Sequence, residues 1–507
     1  MSNLVSTVLN QFITDADNNR SQEQSDRMDI YLDCYEDQIK ALLKTQFTPE
    51  NYQYLLPMVA TYDNVFKKIV NLKAQNYKEV PKRSWLVGED QEEDDGYQEV
   101  VSNSNLDSES ISLEKFSFVN NIAFMRLKVV KGDDKITYEA VAPENISIEQ
   151  DEKDPMRIHA VIHKIVKNAT SGQFVSAYHV WTDGLSSLDD EEFPQGFFQV
   201  TRTDVNGDEQ EGKKQPNPYI DPNTNRGIIP YVEMRTVRGV DYWNETINSD
   251  LSSGTIQINV QQTHLNNLMK WSGYRQTFLL GDVDTKQLQK QKSDVAALIQ
   301  VKGTAGQPTP SVQTEEMAKD PNELLTAISR EKAILADNHG VSFSADAQSS
   351  GQRQTAEAMT INRQQILEIR KSVLPLFREY EHTLAWYTVI IANTSVSMQG
   401  LGKSIDITGE FFIDYQEPKV VTDPRADFEL DLLKVNAGIM SKADLMIKYN
   451  PDIKSEDQAV QQLQKNQELN AGLTADRVGT VDNEIEQATQ AQGINLTLPQ
   501  SEEEEDS

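Results

Sequence analysis

Cysteine, long apolar runs and a leader segment are nearly absent from this sequence of 507 residues. Cys34 is the only cysteine, which excludes an intrachain disulfide framework and is typical of a reducing compartment. No stretch approaches the roughly 18 consecutive apolar residues that a membrane-spanning helix needs. Residues 1–20 lack the basic start and the apolar centre of a signal peptide. We therefore expect a soluble intracellular protein with no membrane partner.

Basic residues are scarce as well. Lys and Arg total 48 against 79 Asp and Glu, which gives a formal net charge of -31. A protein that holds nucleic acid in place needs a basic surface to neutralise phosphates, so this balance excludes a static nucleic-acid binder. A protein through which DNA only passes has no such requirement, and that class stays open. The length predicts roughly two to four domains.

The sequence also lacks the short motifs of common nucleotide-binding and hydrolytic folds. It contains no G-x-x-x-x-G-K-[ST], no G-x-S-x-G and no G-x-G-x-x-G. Acidic pairs such as Asp94-Asp95 and Asp133-Asp134 fall in predicted loops without a His or Lys framework nearby. Acidic residues alone leave a two-metal nuclease open as an alternative. We predict no enzyme activity and no cofactor.

Two patterns that suggest metal sites are better explained without a metal. His159 and His163 share a face of a predicted strand, but Ala160 follows the first His where a zinc hydrolase has Glu. The segment DVNGDE (204–209) has its Gly at the fourth position, whereas a calcium loop has it at the sixth. We predict the polar face of a strand for the two His residues and a hairpin turn for 204–209.

Apolar spacing divides the first half of the chain into a helical and a β-rich part. Residues 27–77 have helical spacing, with Thr48 as N-cap and Pro49 in the first turn of one helix. The charged segment DQEEDDG (90–96) predicts a solvated loop. Between residues 116 and 200 the period is two, which predicts the strands FSFVNNIAFMRLKVV, KITYEAV, MRIHAVIHKIV, QFVSAYHVW and GFFQVTRTDV.

Turn signals separate these strands and the connection that follows them. KGDD (131–134) and Asn206-Gly207 are typical of hairpin turns. Residues 213–234, rich in Pro, Asn and Gly, predict an ordered connection that ends in a short strand. The next helix, predicted over 249–270, is polar but almost uncharged and has a single apolar stripe.

The second half alternates between helices and short strands. A small α/β module is predicted over 276–314, with strands QTFLLGD, IQVKG and QPTPSVQT and a helix TKQLQKQKSDVAAL. After it, Pro321 begins a helix that ends at His339-Gly340. A soft polar loop, VSFSADAQSSGQRQT (341–355), precedes the longest helix signal, 356–391, in which Pro375 predicts a kink.

The C-terminal part is predicted to be helical and then disordered. The strand ITGEFFIDYQ precedes three helices, with Ser441 and Ser455 as N-caps and Gly438 at a helix end. Residues after about 474 are polar and end in SEEEEDS, which predicts disorder.

Three segments occur in this order: SDLSSG (249–254), FSADAQSSGQRQTAEAM (343–359), and the long stretch from EFFIDYQEPKVV to QQLQK (410–465). With the elements between them, they resemble the portal proteins, or head-to-tail connectors, of tailed bacteriophages, particularly siphophages of Gram-positive hosts. The resemblance covers residues 27–470 and implies an α+β portal fold.

The resemblance implies a ring, usually of about a dozen subunits, at one vertex of the capsid. Double-stranded DNA would be packaged and ejected through its central channel. The implied partners are the terminase, the major capsid and scaffold proteins, and a head-tail adaptor. The implied location is the portal vertex of the virion, after assembly in the host cytoplasm. An acidic or neutral wall suits a channel in which DNA must slide.

The resemblance also divides the chain into regions. They are an N-terminal arm (1–26), a wing (27–248 and 356–422), stem helices (249–273 and 321–340), a clip (274–320), a tunnel loop (341–355), a crown (423–474) and an acidic tail (475–507).

Candidate site residues follow from these regions. In the tunnel loop Arg353 is the only basic residue, and Gly351 gives the backbone freedom to approach a duplex. The alternative for Arg353 is an ordinary surface residue at a helix start. The loop residues expected to meet DNA are Ser342, Ser344, Gln348, Ser349, Ser350, Gly351, Gln352 and Arg353.

The stem and the clip supply the other candidate residues. The Asn and Gln side chains of the stem are expected to face water and to hydrogen-bond across subunits, whereas the alternative is a surface helix of an ordinary α/β domain. The stem residues are Asn259, Gln262, Asn266, Lys270, Arg330 and Lys332. The clip residues expected to bind partners are Phe278, Leu280, Ile299, Val301 and Val312.

Two functional alternatives stay open beside the portal. Another ring-forming head-tail adaptor or capsid protein would not need the helix–clip–helix–loop order. A metal-dependent nuclease would need divalent-metal-dependent DNA cutting, which we expect to be absent.

Overall fold

The computed structural model describes residues 15–88, 91–130, 132, 134–166, 176–189, 191–203, 209–239, 241–243, 247–272, 276–280, 311–315, 321–341, 356–416, 424–450 and 458–466. The chain forms two compact units, Met1–Pro418 and Lys419–Ser507.

Twelve α-helices lie in the described ranges. They are α1 (Asp15–Tyr31), α2 (Glu36–Gln46), α3 (Pro49–Leu55), α4 (Val65–Lys73), α5 (Asp95–Ser102), α6 (Leu106–Asn120), α7 (Ser249–Ser272), α8 (Pro321–Asn338), α9 (Ala356–Asn393), α10 (Pro424–Asn436), α11 (Lys442–Tyr449) and α12 (458–466).

The strands of the described ranges all belong to the first unit. They are β1 (Lys82–Val87), β2 (Glu92–Glu93), β3 (Ile122–Val129), β4 (Ile136–Val141), β5 (Ile146–Gln150), β6 (Ile158–Val166), β7 (Ser176–Thr182), β8 (Phe197–Thr203), β9 (Glu209–Glu211), β10 (Gln215–Pro216), β11 (Ile220–Asp221), β12 (Arg226–Gly227), β13 (Tyr231–Arg235), β14 (Gln276–Leu280), β15 (Ser311–Glu315) and β16 (Glu410–Asp414).

The sheets are antiparallel wherever the structure describes a strand pair. The largest has the order β10-β8-β7-β6-β5 with β9 on β8, and two others have the orders β13-β3-β4 and β16-β1-β2. The structure is 50% helical and 20% strand. Antiparallel sheets beside separate helices define the α+β class, so that part of the prediction is confirmed. The portal fold and the ring stay predictions.

The core of the first unit surrounds α9, which packs on β13 and β16. Its Val373, Phe377 and Leu384 are buried at spacings of four and seven, as the apolar periodicity predicts. A buried ion pair lies in the same core: Arg83 donates from Nε and Nη2 to the two carboxylate oxygens of Glu381, at 2.9 and 2.8 Å. This two-bond geometry satisfies both charges where water is excluded.

The predicted strand FSFVNNIAFMRLKVV is wrong in its first third. Residues 116–120 form the last turn of α6, and β3 begins only at Ile122. Between them Asn121 has φ +67°, and its side chain is bonded to Thr236 Oγ1 and Val237 N, both at 2.9 Å. Alternating Phe116 and Phe118 look like a strand locally, but this distant contact decides where the helix ends.

The segment 90–96 is only partly the solvated loop that its charge predicts. Glu92 and Glu93 form β2 and pair with Val87 and Leu86 of β1. Asp94 is the N-cap of α5, because its Oδ1 accepts a hydrogen bond from Tyr97 N at 2.9 Å. The Asp94-Asp95 pair is therefore a helix start.

Local turn and cap signals are more reliable. β3 pairs with β4 across 131–134, and β8 pairs with β9 across Asn206-Gly207, so both hairpins are confirmed. Ser441 caps α11 in a capping box with Asp444. The predicted helix at 285–298, the strand at 299–303 and Ser455 lie outside the described residues.

Candidate functional site

The predicted stem helices α7 and α8 form an antiparallel pair. Asp250 meets His339 at one end, and Gly254 lies against Leu335 one turn further along. A Cβ at Gly254 would lie 3.0 Å from Leu335 Cδ2, so glycine allows the two helices to approach closely here. At the other end, β14 and β15 pair in antiparallel register.

The polar face of α7 binds a stretch of backbone that we call the anchor segment, residues 58–66. Thr255 Oγ1 accepts from Phe66 N at 3.0 Å, and Thr263 Oγ1 accepts from Ala60 N at 3.0 Å. Between them Asn259 donates to Asp63 O at 3.0 Å and accepts from Asp63 N at 3.3 Å. Residues 59–64 have no helix or strand of their own, so these side chains supply the partners that the buried backbone needs.

The next turn of α7 continues the same contact. The Tyr62 hydroxyl donates to Gln262 Oε1 at 3.2 Å, and Asn266 Nδ2 donates to Met58 O at 3.3 Å. Asn259 is fully buried and Gln262 is 7% exposed. The expectation that Asn259, Gln262 and Asn266 face water and bond across subunits is therefore corrected, because these amides bind the chain's own anchor segment.

Lys332 of α8 binds the same segment from the other side. Its Nζ forms an ion pair with Asp63 Oδ2, while Lys68 Nζ lies 3.0 Å from Asp63 Oδ1. Burial alone would raise the pKa of the Asp63 carboxyl, but hydrogen bonds from Lys332 and Lys68 outweigh it and lower the pKa. Arg330 is exposed on the outer side of α8, and the side chain of Lys270 lies outside the described part of the chain.

The end of α8 is fixed by a glycine turn. Gly340 has φ +67°, and Val341 N bonds to Ala336 O at 3.0 Å while Gly340 N bonds to Asp337 O at 2.9 Å. These two bonds form a Schellman motif, in which the left-handed residue is normally glycine. The helix therefore ends at a defined point directly before the predicted tunnel loop.

Three hydrogen-bonded side chains, Lys73, His339 and Asp250, lie at this end of α8. The sequence does not reveal this arrangement. Lys73 Nζ lies 3.2 Å from His339 Nδ1, and His339 Nε2 lies 3.1 Å from Asp250 Oδ2. The ammonium donates to Nδ1, so Nε2 carries the ring proton and donates it to Asp250. Burial and the charge of Lys73 lower the pKa of His339, and burial lowers the pKa of Lys73 to about 8. Lys73 and His339 are 266 positions apart, so no local pattern predicts this contact.

The remaining candidate residues belong to the predicted tunnel loop and clip. All the tunnel-loop residues, Ser342, Ser344, Gln348, Ser349, Ser350, Gly351, Gln352 and Arg353, lie outside the described residues. In the predicted clip, Phe278 and Leu280 lie in β14, and Val312 in β15 is in register with Leu279. Ile299 and Val301 lie outside the described residues. The clip and loop assignments therefore stay predictions.

The two histidines of β6 are buried, which corrects the prediction of a polar strand face. His159 has Asp183 Oδ2 on Nδ1 and Asp151 Oδ2 on Nε2, each at 2.9 Å. Burial alone would lower its pKa, but the two carboxylate hydrogen bonds raise it above the ordinary value. His163 bonds Tyr231 through Nδ1 at 3.0 Å, and burial, with Arg126 nearby, lowers its pKa to about 3. No group of three His, Cys, Asp or Glu residues within the described ranges is placed to hold a metal ion.

A cavity of about 750 Å³ lies beside α9 in the first unit, between β13 and the β11–β12 hairpin. Opposite charges are paired at its edge: Arg235 Nε donates to Glu233 at 2.9 Å, and Arg238 Nη2 donates to Glu379 at 2.5 Å. Both signs of charge line it, so its chemistry selects neither an anion nor a cation.

Among the described helices, none has both the length and the apolar composition required to cross a membrane. No protein-family model matches the chain, and no curated protein matches it. Two solved structures that are similar to it come from phage-like GTA (gene transfer agent) particles. The neck of an empty GTA particle, computed with C6 symmetry, is 12% identical with a TM-score of 0.35, over 78% of this chain and 92% of the other. The neck of a native GTA particle, computed with C12 symmetry, is 11% identical with a TM-score of 0.40, over 78% and 91%.

Proposed function

We propose that this chain is the subunit of a portal ring, the channel through which double-stranded viral DNA is packaged and ejected. The observation that carries the proposal is the antiparallel pair α7 and α8. One end of the pair is tied to the body of the first unit, and the other leads to the β14–β15 ladder. A tunnel loop and a long helix then follow in the order that portal proteins have.

The dimensions of the pair support this role. At about 1.5 Å of rise per residue, the 24 residues of α7 span about 36 Å. The anchor segment binds α7 from Thr255 to Asn266, and α8 is held through Lys332 and His339. Such a helix pair is rigidly attached to the body and would hold the clip at a distance from the wing.

The net charge of the chain supports a channel through which DNA passes rather than a protein that holds DNA in place. A channel wall rich in Lys and Arg would release counterions from DNA and retain it. The net charge of -31 favours a wall along which DNA can slide. We assign the few DNA contacts to the tunnel loop, with Arg353 as the basic residue. We assign terminase and adaptor docking to residues 274–320, capsid and scaffold contacts to the rest of the ring, and ATP hydrolysis to the terminase.

The first test is the assembly state of the purified full chain, by negative-stain electron microscopy and native mass spectrometry. Closed rings of about a dozen copies with a central hole support the proposal. A chain without residues 276–314 should still form the α7–α8 pair but lose terminase binding. Retained terminase binding would favour another ring-forming adaptor, and compact dimers that cut plasmid with Mg²⁺ would favour a nuclease.

A further inference from the structure

Both ring nitrogens of His159 lie against carboxylates. Nδ1 is 2.9 Å from Asp183 Oδ2, and Nε2 is 2.9 Å from Asp151 Oδ2. A neutral imidazole has one N–H and one nitrogen lone pair, so it can donate to only one of these oxygens. Its other nitrogen would then turn a lone pair toward a carboxylate, at a position where His159 is only 6% exposed. The geometry is therefore satisfied by the imidazolium, which donates from both nitrogens.

The two carboxylates belong to different segments. Asp151 begins the turn between β5 and β6, and its Oδ1 accepts from the backbone N–H groups of Lys153 and Asp154 at 2.7 and 3.0 Å. The bond from His159, together with these backbone bonds, lowers the pKa of Asp151 to about 2. Asp183 directly follows β7, and its backbone N donates to His159 O at 3.1 Å. The imidazolium thus joins the turn 151–157 to the loop 183–189.

Both segments form part of the wall of the cavity beside α9. Arg157 of the turn and Asp183 of the loop line this cavity, as does Gly227 of the β11–β12 hairpin. Gly227 N donates to Asp183 O at 3.3 Å, so the hairpin is held at the same point. One buried side chain therefore connects three segments of the wall, which come from separate parts of the first unit.

The charged groups around the ring come from several elements. The two bonded carboxylates favour the protonated ring, while the charge of Arg157, which directly precedes β6, opposes it. Burial alone would lower the pKa of His159, but the carboxylate hydrogen bonds outweigh it and raise the pKa above the ordinary 6.5. Three further carboxylates of neighbouring segments accept from backbone N–H groups: Glu149 from Ser187, Asp189 from Ser186 and Asp221 from Asn223.

We propose that protonated His159 holds these three segments of the cavity wall together, and that the wall loosens when the ring loses a proton. Loss of either ring proton removes one charge-assisted hydrogen bond and leaves a carboxylate facing a lone pair. Since the pKa of His159 is raised on folding, its stabilising effect is complete below the unfolded value of about 6.5. The effect is lost as the pH rises through the folded pKa. This inference concerns the first unit alone and does not depend on the proposed ring.

Hydrogen exchange of the full chain, followed by mass spectrometry, tests the inference. Protection factors, which correct for the intrinsic pH dependence of exchange, are compared at pH 6 and pH 8.5. We expect them to fall about tenfold in residues 151–157 and 183–189 at the higher pH, because one charge-assisted hydrogen bond is lost. His159→Gln, which does not titrate, should remove this pH dependence. The matched control, His382→Gln, replaces an exposed histidine of α9 and should leave it unchanged.

Exchange of the imidazole C2 hydrogen measures the pKa of His159 in the same samples. The midpoint of the loss of protection should coincide with this pKa. Asp151→Asn keeps an acceptor oxygen but removes the charge, so we expect a lower pKa of His159 and loosening at a lower pH. This variant also tests the inference if His159→Gln does not fold. Constant protection of both segments while His159 titrates would overturn the inference, as would a pKa of His159 that Asp151→Asn does not change.

Discussion

The two helices of the antiparallel pair are held to the body by different chemistry. α7 buries a row of polar side chains, Thr255, Asn259 and Thr263, spaced by four and bonded to the backbone of the anchor segment. α8 makes one ion pair to that segment and leaves Leu325 and Ile334 41% and 50% exposed. A polar helix can therefore be more buried than its neighbour. Its side chains hydrogen-bond to backbone groups that would otherwise be buried without a partner.

The largest effect is expected from Asn259→Leu, which removes the contact most particular to α7. Two buried backbone groups of Asp63 would lose their partner at about 1–3 kcal/mol each, so we expect a loss of about 2–6 kcal/mol. Urea unfolding followed by tryptophan fluorescence measures it, because all five tryptophans precede residue 418. The control, Ser329→Ala on exposed α8, should change stability by less than about 0.5 kcal/mol. If Asn259→Leu and Ser329→Ala lowered stability equally, the difference in how α7 and α8 are held would be wrong.

Gly254 tests the spacing of the pair. We expect Gly254→Leu to cost about 1–3 kcal/mol, because its side chain would enter space held by Leu335. Gly254→Ala should be nearly neutral, since a gain in helix propensity of about 1 kcal/mol offsets the tight 3.0 Å contact that the new Cβ would make with Leu335 Cδ2. Leu335→Ala should recover part of the loss in the Gly254→Leu chain. An equal loss with alanine would show that the helix crossing leaves no room even for one Cβ.

Lys332→Met tests the ion pair between α8 and the anchor segment. We expect a loss of about 1 kcal/mol at neutral pH, since Asp63 keeps Lys68. The pKa of Asp63 is lowered in the folded chain, so the pair stabilises above the unfolded value of 3.8 and this stabilisation is lost as the pH falls below it. Wild type and variant should therefore converge in stability as the pH falls below 3.8 and through the lower pKa of Asp63 in the folded chain. A difference that persists there would indicate packing by the Lys332 stem instead.

The smallest effect is expected at His339, where α8 ends. Its pKa is lowered on folding, so its contribution to stability is present above the unfolded value of about 6.5 and is lost as the pH falls below it. Protonation of Nδ1 would break the bond from Lys73 and place two cations together. We expect lower protection factors, which correct for the intrinsic pH dependence of amide hydrogen exchange, at residues 335–341 at pH 5 than at pH 8. His339→Gln, which can make both hydrogen bonds without titrating, should remove this pH dependence.

Local signals in the sequence predict much of the fold, while contacts between distant segments account for what it misses. The spacing of apolar residues predicts α7, α8 and α9, and turn residues predict the two hairpins. The burial of α7 could not be predicted, because Asn259 and Asp63 are 196 positions apart. The regular spacing of Thr255, Asn259 and Thr263 was the available signal for a buried polar row. Nothing in the sequence joins Lys73 to His339.

Asp63 has a mechanical consequence for the helix pair. Its main chain is held by Asn259 and its carboxylate by Lys332, so one residue couples both helices. Sliding α8 past α7 by one turn, about 5.4 Å, would break the Lys332 pair while Asn259 still held the main chain. The two helices should thus resist sliding past each other, and they should tilt together as one rigid body. A force applied at the β14–β15 end would be transmitted to residues 58–66 rather than absorbed between the helices.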